Sequence, residues 1–161
     1  MNAAKFMKPL GALVLIASLC GCEKSPYEHL AVARRELSDA AYAEALAAAE
    51  VGLEGDPEAA TRWGLEVVKL EAQARSGLGE ETKAQLQRLV GLHPNRVQSS
   101  EYFAAAQQLR TAGQGPAAIE VLDMGATFFP YDPVISRMIE ESSAGSDPAE
   151  LEMLRSLGYI E

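Results

Sequence analysis

Three prolines, Pro57, Pro94 and Pro130, stand 37 and 36 residues apart. Proline lacks an N–H and its ring clashes with the preceding turn, so it cannot continue a helix. Near-constant spacing therefore cuts the chain into stretches that each hold two helices and a turn, the mark of a repeat architecture. The stretches carry matching punctuation. "SPYE" sets Ser25 as N-cap, Pro26 at the first helical position and Glu28 three residues after the cap, a capping box. Asp-Pro recurs at Asp56-Pro57, Asp132-Pro133 and Asp147-Pro148, each read as a cap followed by the first helical residue. Gly55, Gly77, Gly113 and Gly158 fall where helices should stop. The resulting helices run over about 26–37, 40–54, 57–76, 80–92, 99–112, 116–129, 133–142 and 148–157. No segment alternates with period two, so no strand is expected. Short connections make consecutive helices antiparallel neighbours. The 161 residues fit one domain, with 48% apolar and 23% charged residues, and only 6% aromatic. Abundant alanine favours closely packed helices over a sheet sandwich. The expectation is an all-α chain of antiparallel helix pairs stacked as a short right-handed solenoid.

Within the last stretch, "YFAAAQQL" supplies Tyr102, Ala105, Ala106 and Leu109, "AIEVL" supplies Ala118 and Leu122, and Pro130 closes the unit. These residues and spacings resemble the tetratricopeptide repeat, whose signature is an aromatic, small and large apolar positions, and a closing proline. The first unit places His29, Val32, Ala33, Glu36, Ala45, Ala49 and Pro57 at the same offsets. In the middle unit Trp63 takes the leading aromatic slot only if about three extra residues sit in the "SGLGEE" turn, and Thr82 stands where the pattern has alanine. The resemblance covers about residues 26–133. An alanine-rich helical bundle without repeats is the alternative that the composition also allows. Small residues such as Ala33, Ala45, Ala106 and Ala118 let paired helices approach, and Leu109 and Leu122 fill the gaps between units.

The chain opens with Lys5 and Lys8 followed by the apolar "LGALVLIASL", Leu10 to Leu19. A membrane-spanning helix needs about 20 apolar residues, so this stretch reads as a secretory signal. Leu19-Cys20-Gly21-Cys22 follows, and it resembles the bacterial lipobox, with leucine at −3 and a small residue at −1 from the acylated cysteine. Counted from Cys20, the −1 residue would be the bulky Leu19. The resemblance thus implies removal of residues 1–21 and lipidation of Cys22, leaving 22–161 as the mature chain. The rivals are weaker. A redox pair needs C-x-x-C. A zinc site needs more ligands than His29 and His93 offer. An ordinary signal peptide cut at a small residue is the main alternative. Each buried methylene contributes about 0.8 kcal/mol, so the two or three acyl chains that the resemblance implies, such as palmitate, hold firmly. Glu23 follows the cysteine where an aspartate would favour retention at the inner membrane. The lipobox resemblance therefore implies an outer-membrane lipoprotein facing the periplasm.

Lys5 and Lys8 leave with the signal, so 12 basic face 23 acidic side chains, a net charge of −11 against −9 for the whole chain. Such a surface repels phosphate backbones and excludes nucleic acid as a partner. Catalysis finds no support either. Glu80-Glu81 and Glu140-Glu141 are adjacent on helices and so face different ways. Trp63 and "FFPY", Phe128 to Tyr131, read as packing. No phosphate loop, nucleophile elbow or metal spacing appears, so neither enzyme activity nor a cofactor beyond the lipid on Cys22 is expected. In the tail "LRSLGYIE", Gly158 fits a left-handed helix stop.

The tetratricopeptide resemblance implies a concave groove lined by the first helix of each unit. By spacing, Leu30, Arg34, Phe103, Gln107 and Arg110 fall on that lining, and the middle unit stays unassigned. Two guanidinium groups on an acidic chain suit a partner with carboxylates, and pairing with nearby acids such as Glu28 or Glu101 is the competing reading. The expected function is a membrane-anchored protein–protein interaction module that captures an extended or helical segment of another envelope protein. It would serve assembly of a secretion, pilus or outer-membrane complex. A spacer lipoprotein without a specific ligand, or an accessory subunit of an envelope enzyme, are the alternatives.

Overall fold

The computed structural model describes residues 24–145 and 147–161. Residues 1–23, with Cys20 and Cys22 and the expected leader, lie outside the described residues, as does Ser146. Eight helices follow in order: α1 (Pro26–Ser38), α2 (Tyr42–Glu54), α3 (Ala59–Arg75), α4 (Gly79–Leu92), α5 (Ser99–Thr111), α6 (Gly115–Phe128), α7 (Pro133–Ser143) and α8 (Pro148–Ser156). Among the described residues there is no strand. Each odd-numbered helix pairs with the even-numbered one after it. The odd-numbered helices also touch in sequence, α1 on α3, α3 on α5 and α5 on α7. The chain is therefore an all-α stack of antiparallel helix pairs. The helices α7 and α8 dock on α5 and α6 as a fourth pair.

The helix starts follow their caps. The Ser25 hydroxyl accepts from the Glu28 amide and the Glu28 carboxylate accepts from the Ser25 amide, closing the capping box. Asp132 and Asp147 each accept two backbone amides at the starts of α7 and α8. A hydrogen bond from Ser99 first, and then from the Ile135 amide, holds the Asp132 carboxyl below its ordinary range. Asp56 differs. It takes a left-handed conformation with φ 48°, and α3 begins at Ala59, so the Asp56-Pro57 pair is not the cap its sequence suggests. Asp56 instead pairs with Arg62 at 2.6 Å.

The turns inside the first three pairs are one structure used three times. The left-handed residue is Ala40, then Gly77, then Gly113, with φ of 59°, 73° and 78°. The next amide reaches back to a carbonyl five residues earlier: Ala41 to Glu36, Leu78 to Gln73 and Gln114 to Leu109. These are Schellman stops, and Gly158 makes a fourth with Tyr159 bonded to Leu154. Ala40 alone places a Cβ in this conformation, at a cost of about 1–2 kcal/mol. Ala40→Gly relieves that strain while adding about 0.4–1 kcal/mol of unfolded-chain freedom. The variant should gain about 0.5–1 kcal/mol in urea unfolding. A loss of stability would show that the Ala40 turn is unstrained.

The left-handed positions share the 37- and 36-residue spacing of the prolines, and they fix the register of the middle unit. Its turn has the same form as the other two, so the expected insertion of about three residues after Gly77 is absent. The extra length lies at the start of α3, which has 17 residues against 13 in α1 and α5. An added turn there displaces nothing downstream. The slot filled by His29 and Tyr102 in the outer units therefore belongs to Glu66, and Trp63 stands one turn earlier. Trp63 packs its edge against His93, ring centroids 5.3 Å apart, and Arg96 lies 4.5 Å over its face.

Two apolar cores result. One joins Leu30, Ala33 and Leu37 of α1 with Ala45 and Ala49 of α2 and Leu65, Val68 and Ala72 of α3. The other begins with Leu70 and Ala74 on the opposite side of α3 and runs through α4–α8 to Leu154. Thus α3 serves both, and α2 and α4 do not meet. Close approach within the pairs depends on small residues. Ala33, Ala45, Ala106 and Ala118 have no exposed surface.

Candidate functional site: a trough between the first helices

Where α3 and α5 run side by side, their outer faces leave a trough. Val67, Leu70, Ala104 and Ala105 form an apolar floor, with Glu71 and Gln108 on the walls and a hollow of about 270 Å³. Gln108 also borders a second hollow of about 390 Å³, bounded by Tyr42, Arg75, Gln107 and Thr111. The two hollows share Gln108, the first apolar-floored toward the α5 start and the second polar toward the α5 end. Arg75 bonds Glu71 at 2.5 Å, so the walls carry an ion pair rather than a free charge.

The residues expected to line a groove are dispersed. Leu30 does not line one: it is 5% exposed and lies in the first core, its methyls against Gly64. A Cβ at position 64 would stand 2.8 Å from Leu30 Cδ2 and would push that methyl aside. Arg34 is exposed, with no ion pair among the described residues. Gln107 is exposed and borders the polar end of the trough. Phe103 is half-buried and lines the next hollow along, about 140 Å³, with Ser99, Ser100 and Val134 between α5 and α7. Arg110 is not a free groove cation. Its Nε donates to Glu150 Oε1 at 3.0 Å and its Nη2 to Glu150 Oε2 at 3.2 Å and to the Ser142 hydroxyl. The competing expectation of a paired arginine thus holds for Arg110, with a partner from α8 rather than Glu101.

Sequence reasoning missed Val67, Glu71, Arg75, Ala104 and Gln108. The signal that places two of them is the series Ala40, Gly77, Gly113. Counted back from it, Val67 is equivalent to Leu30 and Phe103, and Glu71 to Arg34 and Gln107. Counting from Trp63 hid both.

Other polar groups inside the fold are structural. Glu66 is fully buried. Its carboxylate accepts from Gln85 Nε2 at 2.6 Å and from Arg88 Nε at 3.1 Å, and Gln85 also donates to the Glu66 carbonyl at 3.1 Å. A buried carboxylate persists only when so satisfied. Burial lowers the Lys83 pKa, but hydrogen bonds to Glu120 and Glu80 outweigh it and hold the ammonium above its ordinary value, tying α4 to α6. Tyr102 is buried between Phe128 and Phe129 with its hydroxyl unpartnered, and burial pushes it to about 12. None of these groups borders the trough. Among the described residues, no three His, Cys, Asp or Glu side chains gather to hold a metal, and no helix is long and apolar enough to cross a membrane.

No family model, curated protein or solved structure matches the chain. The trough must therefore be read from its own chemistry. A depression with an apolar floor and polar walls can take a peptide segment.

Proposed function

We propose that the chain is a lipid-anchored, tetratricopeptide-like interaction module of the bacterial envelope, and that the α3–α5 trough holds a segment of another envelope protein. The lipobox-like Leu19-Cys20-Gly21-Cys22 supports the anchor, with Cys22 as the acylated residue. The single observation that supports the capture role is the trough itself: exposed Ala104 and half-buried Val67, backed by the buried Leu70 and Ala105, form an apolar floor between two stacked first helices. Such a floor reads an amphipathic segment through its apolar side chains, while Glu71, Arg75 and Gln108 meet its polar side. The chain needs no catalytic group or cofactor for this role, and its acidic surface disfavours nucleic acid.

The experiment is crosslinking in intact cells with a photoreactive residue at Ala104, which is exposed on the trough floor, and another at Arg137, exposed on α7. Ala104 should capture a defined partner that Arg137 does not, and Ala104→Glu should abolish that capture. Identical products from both positions would remove the trough from the function. No product from either would favour the spacer alternative.

A further inference from the structure

Antiparallel pairing brings the starts of α1, α3, α5 and α7 and the ends of α2, α4 and α6 to one edge of the stack. Nine large apolar side chains stand exposed among the described residues, and six of them lie at this edge: Tyr27, Val51, Leu92, Phe128, Tyr131 and Val134. Tyr131 is 94% exposed and Tyr27 71% exposed. Leu78 alone lies at the opposite edge, on the α3–α4 turn, and the remaining two follow α8 part-way up the stack. Phe128 also packs on Tyr102, but both edges are built from helix ends and turns, so these alone do not account for the asymmetry.

The chain reaches α1 at this same edge. Pro26, the first residue of α1, is four residues from Cys22, which spans at most about 14 Å. A lipid on Cys22 would therefore hold the α1 end of the edge within that distance of the headgroups. We propose that this edge is a membrane-contact surface: its aromatic and aliphatic tips enter the headgroup layer beside the anchor and set the stack with its helices upright on the bilayer. The inference rests on the lipid-anchor part of the proposed function. The chemistry fits a neutral interface. Tyrosine and phenylalanine at a boundary place an apolar body in the acyl region and, for tyrosine, a polar tip in water. Glu28, Glu54, Asp56 and Glu58 are exposed near the first pair's end of the edge, beside Lys24 and Arg62, so attraction to anionic lipid does not hold it. The tether makes the contact intramolecular, so shallow insertion of a few side chains suffices. The trough runs along the helices, from the α5 start at this edge toward the polar α5 end, which points away from the membrane.

The test uses the acylated chain in phosphatidylcholine vesicles carrying brominated acyl chains. Trp63, the one tryptophan, is replaced by phenylalanine, and a probe is introduced as Tyr131→Trp or Leu78→Trp. The Tyr131→Trp probe should be quenched at least about twofold more than Leu78→Trp, and about 0.5 M salt should not change this. Equal quenching of the two, or loss of the difference in salt, overturns the proposal. Hydrogen exchange of the unsubstituted chain supplies a second reading. Amides around Tyr27, Leu92 and Tyr131 should slow on vesicles, and protection of that edge in solution with a concentration-dependent dimer would assign it to a second copy instead. Acylation is read separately by mass. Should Cys22 carry no lipid, the anchor reading fails on its own. The Cys20→Ser chain, coupled through Cys22 to a maleimide lipid, must then show the same quenching difference, and its absence overturns the edge proposal there as well.

Discussion

Arg110→Glu should lower the stability of the folded chain by about 3–5 kcal/mol, because it replaces the partner of a buried carboxylate with a second carboxylate. Glu150 has a side chain only 10% exposed, and both its oxygens accept from Arg110. The Ser142 hydroxyl, which also takes an Arg110 N–H, loses its donor at the same time. This cluster ties α5 to both α7 and α8, so the last pair should loosen first. Arg34→Glu should stay within about 0.5 kcal/mol of the parent, as expected for an exposed side chain without an ion pair. The spacing-based reading treats the two arginines as equivalent groove cations whose reversal leaves stability nearly unchanged. The structure separates them. Urea unfolding of each single variant checks the difference, and equal midpoints for the two would remove the Arg110–Glu150 pair as a structural tie.

Gly125→Val should cost about 3 kcal/mol, the upper end of the range for overpacking. A Cβ at Gly125 would already stand 2.8 Å from Ile135 Cδ1 and 3.0 Å from Tyr102 Cβ. Tyr102 Cβ is fixed to its backbone and cannot yield, so α5, α6 and α7 must separate. Gly52 holds the equivalent place in the first unit, where a Cβ would stand 2.9 Å from His29 Cβ. Gly91 is the control. Nothing lies within 4 Å of a Cβ there, so Gly91→Ala should gain about 0.5–1 kcal/mol from reduced backbone freedom. Thermal or urea unfolding reads both, and a Gly125→Val chain as stable as the parent would show that these helices are not in close contact.

Much of this architecture is legible in the chain because helix ends carry local chemistry. Ser25, Asp132 and Asp147 cap helices through contacts with residues two or three places on, and Gly77, Gly113 and Gly158 stop them through backbone conformation. Asp56-Pro57 looks the same in sequence, but Asp56 takes a left-handed conformation and the helix starts only at Ala59. The middle unit misleads for a different reason. An aromatic at Trp63 outweighs a glutamate at Glu66 in any pattern of large apolar slots, and only folding brings up Gln85 and Arg88, 19 and 22 residues away, to satisfy the carboxylate. Arg110 and Glu150 meet across 40 residues, which no local spacing reveals. The trough inherits both difficulties: half its floor comes from the misregistered helix.

The division of the core at α3 has a mechanical consequence. Between the first pair and the rest, only α3 is shared, because α2 and α4 do not meet. On the proposed reading, a load between an anchor ahead of α1 and a partner seated over α3 and α5 would pass through that single helix. Because α3 is packed into both cores, it acts as a rivet, and loosening either of its faces would uncouple the first pair from the rest.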